Sequence, residues 1–354
     1  MNFVFDREFI DNYLKARDEN RKKPEPRHGL LMSIFFALSL AVTVMSGSLV
    51  SFIFFITAAA SGAMVFCLFP VYVWPLPIAA AALVTVFLAD SALVAVGMIM
   101  PIAVAFVLGW FSRRDKSLSP AVGTATAVMF TIIAALGFVL VYHYEGGISV
   151  EAITSFARRC HGFLTRSFSK MLVYKNGETQ ISILTYEQIS NIVRNTIAVL
   201  PGYVVCFSFL ISYISSWLYR RFLSAFGYAS NIIPFFFYFD MSLVSASVFL
   251  IASILSFFLG MFPKAEVAYF AAENMRIMLM PAFALLGYKW LKKGFAKLLR
   301  GAKFGCLAVL LIPVVLSGAA IGFLAPLLTF FSVAGAVWVV KRKAPRIDFG
   351  SKEK

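Results

Sequence analysis

A chain of 354 residues that is 60% hydrophobic and only 14% charged is too apolar for an ordinary soluble domain, in which about a quarter of residues are charged. Its formal charge of +15 does not make it a nucleic-acid binder, because the basic residues lie in short runs beside apolar segments and no base-reading motif accompanies them. The four cysteines have no CxxC spacing, which argues against a thiolate metal site, a redox pair or a disulfide framework, and no cofactor is expected.

Residues 1–28 form a charged cytoplasmic head, mixed in sign, with Phe5, Phe9, Ile10, Tyr13 and Leu14 interspersed. Two readings fit it: a short amphipathic helix on the membrane surface, or a solvated tail. It is too long and too mixed in charge for the n-region of a cleavable leader. Pro24 and Pro26 interrupt any helix there before the first apolar segment.

From Gly29 to Ser112 the chain runs for 84 residues with one formal charge, Asp90. A span takes roughly 20 apolar residues, because the hydrocarbon slab is about 30 Å thick and a helix rises about 1.5 Å per residue. Breaks at Ser46–Gly47–Ser48, at Pro70 to Pro77 and at Gly97 to Pro101 divide the block into four spans, and a fifth runs to Tyr142. Together, residues 29–142 make a first membrane bundle. Residues 195–340 make a second bundle of about five spans, followed by a basic cytoplasmic tail at 341–354. The expected fold is therefore all-α: a polytopic transmembrane helical bundle of about ten spans, eight at the fewest.

Orientation follows from the basic runs. The head, Arg113–Arg114–Lys116, Arg220–Arg221, the Lys289–Lys303 run and Lys341–Arg342–Lys343 fall on one side of a ten-span path, which the positive-inside bias makes cytoplasmic. All five tryptophans fall at span ends on that side. Both termini are thus expected in the cytoplasm, with the lipid bilayer as the protein's solvent.

Residues 143–194 form a long outer loop. Ile153, Phe156, Cys160, Phe163, Leu164, Phe168 and Met171 recur at helical spacing, with Arg159, Arg166 and Lys170 on another face. Tyr174 to Thr179 reads as a turn. Thr185 then opens a second helix with Gln188 as its capping-box partner. The loop is thus an amphipathic helical hairpin, serving as a cap over a cavity or as a structural strap.

Candidate chemistry is sparse. Ionisable groups inside a membrane are destabilising and invite a functional reading. Glu273, Asn274 and Arg276 cluster in the eighth span, with Glu273 and Arg276 three apart on one helical face. Asp90 is a candidate partner across the bundle. The four are expected to line an outward-facing substrate pocket, or else to clasp two helices together. Ser33, Ala37 and Ala41 repeat every fourth residue on the first span, and Gly318 and Gly322 repeat likewise near the last. Ala37, Ala41, Gly318 and Gly322 are therefore candidate partner-packing positions, since small residues let helices approach closely. No metal ligands, catalytic residues or enzyme signature emerge, and no ATP-binding motif is present.

Three stretches carry a family likeness: Leu108–Gly109–Trp110 with Arg113–Arg114 ending the fourth span, Leu200–Pro201–Gly202 after the hairpin, and Asn274 in the eighth span. In their order and spacing, over most of residues 29–343, the chain resembles the YybS-like family of predicted bacterial multi-pass membrane proteins, a domain of unknown function. That family is remotely similar to the substrate-binding membrane subunits of energy-coupling-factor vitamin transporters. Those subunits dock a partner through small residues on the first helix and take vitamins from outside. They have fewer spans than are read here, so this second likeness covers at most the first half. It implies ATPase and coupling subunits as partners and a vitamin-like ligand near Asp90 and Arg276. Two further readings of the chain stand beside it: a non-transporting scaffold that organises other membrane proteins, and an intramembrane enzyme.

Overall fold

The computed structural model describes residues 22–45, 49–88, 92–114, 116–171, 173–176, 179–182, 185–229, 239–262, 265–298 and 320–343, with five positions between 12 and 20. Eleven helices over these residues are named in chain order: α1 Pro26–Met45, α2 Leu49–Leu68, α3 Pro75–Leu88, α4 Ala92–Arg113, α5 Leu118–Glu145, α6 Val150–Met171, α7 Tyr186–Ala198, α8 Leu200–Ala225, α9 Leu243–Leu259, α10 Glu266–Leu298 and α11 Ala320–Lys343. Four helical stretches, Pro26–Thr43, Val50–Leu68, Leu118–Glu145 and Leu200–Ala225, are long and apolar enough to cross a membrane. The expected turn at Ser46–Gly47–Ser48 and the segment 304–319 lie outside the described residues.

One expected boundary is corrected. Gly97 to Pro101 is not a break, because α4 runs through Pro101 without interruption. A proline removes a single backbone hydrogen bond, and membrane helices tolerate it where neighbouring groups re-satisfy what it frees.

The chain divides into two compact units, residues 1–133 with 207–240, and residues 134–206 with 241–354. Helices α5 and α8 each contribute to both.

In the first unit, α2 lies at the centre. Its Ala58, Ala59, Ala60, Ala63 and Met64 are fully buried, and α1 and α4 pack on it. Its own small residues and Gly109 of α4 permit this closeness. A Cβ on Gly109 would come within 2.8 Å of the Ala63 carbonyl oxygen, and one on Gly62 within 2.8 Å of Ala105 Cβ. Aromatic rings fill the remaining space, with Phe66 edge-on to Phe36 at 5.9 Å and tilted against Trp74 at 4.9 Å.

Tyr228, just past α8, anchors the start of α1. Its hydroxyl accepts the Glu25 backbone N–H at 2.8 Å and meets His28 Nδ1 at 2.9 Å, with the Tyr228 side chain buried. Pro26 then opens α1, a position where a missing N–H carries no penalty.

In the second unit, α9, α10 and α11 pack on one another. The tightest crossing pairs Gly287 of α10 with Gly335 of α11. A Cβ on Gly287 would lie 1.8 Å from the Phe331 carbonyl oxygen, and one on Gly335 2.1 Å from that of Phe283. Only glycine fits at either point. Beside them Ser332 Oγ donates to the Met280 carbonyl at 2.9 Å.

The long loop contains the two amphipathic helices, α6 and α7, packed against each other. Thr185 and Gln188 form the reciprocal capping box, with Thr185 N–H donating to Gln188 Oε1 at 2.9 Å and Gln188 N–H to Thr185 Oγ1 at 3.2 Å. Between the helices, where a turn is expected, the chain makes a two-stranded antiparallel hairpin, β1 Val173–Asn176 with β2 Thr179–Ser182, pairing Val173 with Ser182.

Candidate functional site: a buried ion pair and an apolar groove

Helix α10 places Glu273 and Arg276 one turn apart. Arg276 Nε donates to Glu273 Oε2 at 2.8 Å, and Nη2 donates to Oε1, so the guanidinium grips the carboxylate with two parallel bonds. Ser256 Oγ of α9 donates to the same carboxylate. From the other side, Arg276 Nη1 approaches Thr329 Oγ1 of α11 at 3.5 Å. The pair is mostly covered, with the Glu273 side chain 12% and that of Arg276 22% exposed. Arg276 stands ten residues past the first residue of α10, about 15 Å along the axis. Ser256 and Thr329 are not found by sequence reasoning, because a lone hydroxyl in an apolar helix usually bonds back to its own backbone.

Asn274 has a different environment from its two neighbours. Its side-chain amide donates to the Ala198 and Phe270 carbonyls, both at 2.9 Å, and its Oδ1 accepts the Gly202 N–H at 2.7 Å. Ala198 ends α7, and Gly202 lies in the first turn of α8, so one side chain satisfies an orphan carbonyl of one helix and an orphan N–H of the next. Gly202 is needed there, because a Cβ would come within 3.0 Å of the Asn274 side-chain oxygen. The Leu200–Pro201–Gly202 stretch and Asn274, noted separately in the sequence, therefore meet in space.

Asp90 and Gly318 lie outside the described residues, and Gly322 falls on α11. Ala37 and Ala41 line an apolar groove of about 760 Å³ in the first unit. Helix α1 lines it with Gly29, Ser33, Ala37 and Ala41, one residue per turn, and with Leu30, Ile34 and Leu38 beside them, while Phe69, Val73 and Leu76 line it from the following segment. The Ser33 hydroxyl is buried there, with no hydrogen-bond partner among the described residues. Asp240 donates its backbone N–H to Ser119 Oγ at 2.8 Å.

Comparison of the chain with family models, characterised proteins and solved structures finds no match. Functional inference thus rests on the site itself.

Proposed function

We propose that the chain is a multi-pass transport component of a bacterial inner membrane, taking a small vitamin-like molecule into an outward pocket at Glu273 and Arg276. The Glu273–Arg276 pair carries this reading. Charges inside an apolar helix bundle are destabilising and are kept chiefly for function. Among the described residues Arg276 Nη1 has only a long contact to Thr329, so an anionic ligand group competes for it on favourable terms. About ten spans with both termini cytoplasmic, and a YybS-like membership, complete the proposal. The groove beside Ala37 and Ala41 suits a transmembrane helix of a coupling subunit.

The second reading is a non-transporting scaffold, and a specific observation favours it: Glu273, Arg276, Ser256 and Thr329 already satisfy one another across three helices. The two readings separate in one experiment. Arg276→Gln, Glu273→Gln and the double variant are purified in mild detergent, and co-purified small molecules are identified by mass spectrometry alongside thermal unfolding. A transport component retains a molecule as wild type and loses it in all three variants. If the double variant regains wild-type stability and no molecule is ever found, the pair is a clasp and the scaffold reading stands. Breaking a buried pair one partner at a time is the destabilising step, typically by about 3–5 kcal/mol, whereas removing both is far milder.

A further inference from the structure

Three helices end on the same five-residue pattern. Trp110–Phe111–Ser112–Arg113–Arg114 closes α4, Trp217–Leu218–Tyr219–Arg220–Arg221 lies near the end of α8, and Trp338–Val339–Val340–Lys341–Arg342 closes α11. Each is tryptophan, two residues, a cation, then arginine. In each, the guanidinium of the fifth residue lies over the indole of the first, with Cζ at 4.1, 5.4 and 4.7 Å from the ring centroid in chain order. The geometry has a simple cause. Residues four apart share a helix face, and a helical side chain leans toward the N-terminus, so an arginine at the fifth position reaches back over the ring.

The tryptophans are also at a common distance from the helix starts. Trp110 is 18 residues past Ala92, Trp217 is 17 past Leu200 and Trp338 is 18 past Ala320, about 26 Å in each case. That is close to the hydrocarbon thickness of a bilayer, so a helix that begins at one interface brings its indole to the other.

In the first unit two of these pairs stand on neighbouring helices. The third residues of both patterns, Ser112 and Tyr219, point inward, and Tyr219 Oη donates to Ser112 Oγ at 2.8 Å in a fully buried contact. The first and fifth residues consequently face outward: Trp110 and Trp217 are 38% and 47% exposed. Among the described residues neither Arg114 nor Arg221 forms an ion pair with a carboxylate. Arg220 is turned back onto the Ser216 carbonyl, leaving Arg221 as the outward cation of its helix.

We propose that the Trp110–Arg114 and Trp217–Arg221 pairs bind the phosphate of an anionic membrane phospholipid at the interface. A guanidinium lying over an indole keeps its N–H edge free, and that edge is the part that matches a phosphate oxygen pair. The helix C-terminal dipole favours the arginine and not the phosphate, so the guanidinium must supply the attraction. Asp115 offsets one of the three positive charges that follow Trp110, whereas no acidic residue follows Arg221 before Asp240. The site depends on the helices being spans and is independent of whether Glu273–Arg276 binds a ligand.

The test is a native mass-spectrometric titration of the full chain in nonionic detergent with phosphatidylglycerol or phosphatidylcholine of identical acyl chains. Phosphatidylglycerol is expected to bind about tenfold tighter, and Arg114→Gln/Arg221→Gln to abolish the preference. Equal binding of the two lipids overturns the proposal, as does a double variant that keeps the preference. Inorganic phosphate competing at the lipid's own concentration also overturns it, in favour of a simple anion site. If the double variant does not fold, each single variant is titrated instead. A several-fold loss of preference in each supports the site, and no change in either overturns it.

Discussion

Two stripes of small residues in this protein have opposite fates. On α10 and α11, Gly287 and Gly335 are in contact, backbone on backbone, within one unit. On α1, Gly29, Ser33, Ala37 and Ala41 line an open apolar groove together with Leu30, Ile34 and Leu38. Small residues state that something is allowed to come close. They do not state whether that partner belongs to the same chain. In the second unit the partner is another helix of this protein, while in the first no described helix fills the groove.

The largest expected effect tests the closed crossing. Gly287→Ala places a methyl where a carbonyl oxygen already stands, and neither helix backbone yields cheaply. A loss of about 3 kcal/mol or more is expected in thermal or denaturant unfolding. An unchanged midpoint would show that α10 and α11 do not cross at this point. A smaller effect concerns how α1, and with it the groove, is held. Tyr228→Phe removes the acceptor of the Glu25 N–H and the partner of His28, and a loss of about 1–2 kcal/mol is expected. Faster proteolysis near residue 25 would accompany it. The smallest effect on stability comes from Ala37→Leu, which fills open space and should shift unfolding by less than about 0.5 kcal/mol. The same change should cut co-purification of a partner membrane protein severely. If partner recovery is unaltered, the groove is not where docking occurs, and the contrast between the two stripes loses its meaning.

The long apolar runs made the helices legible, since few other structures bury such sequences. Their breaks were less so. Gly97 and Pro101 look like a boundary, yet Pro101 sits inside α4 because neighbouring packing outweighs one missing hydrogen bond. In the long loop, helical periodicity located α6 and α7, and Thr185 with Gln188 marked the second start. The strand pair between them escaped, because four-residue strands are too short for alternation to show against turn residues. The Glu273–Arg276 pairing was readable from spacing alone. Its closure by Ser256 and Thr329 was not, since those residues arrive from other helices. Gly287 and Gly335 lie 48 positions apart, and no local period links such residues. Asn274 stands out in the sequence as a polar residue in an apolar segment, but its bonds to Ala198 and Gly202 are a property of the fold.

Those bonds set a schedule for the newly made chain. The corner between α7 and α8 is complete only when Asn274 arrives, 72 residues after Gly202. At a synthesis rate of roughly 5–20 residues per second, the ribosome needs about 4–14 s to supply it. Until then the Gly202 N–H and the Ala198 carbonyl, four residues apart, are satisfied by water or by each other. The amide of a single later residue thus completes the junction in the finished protein.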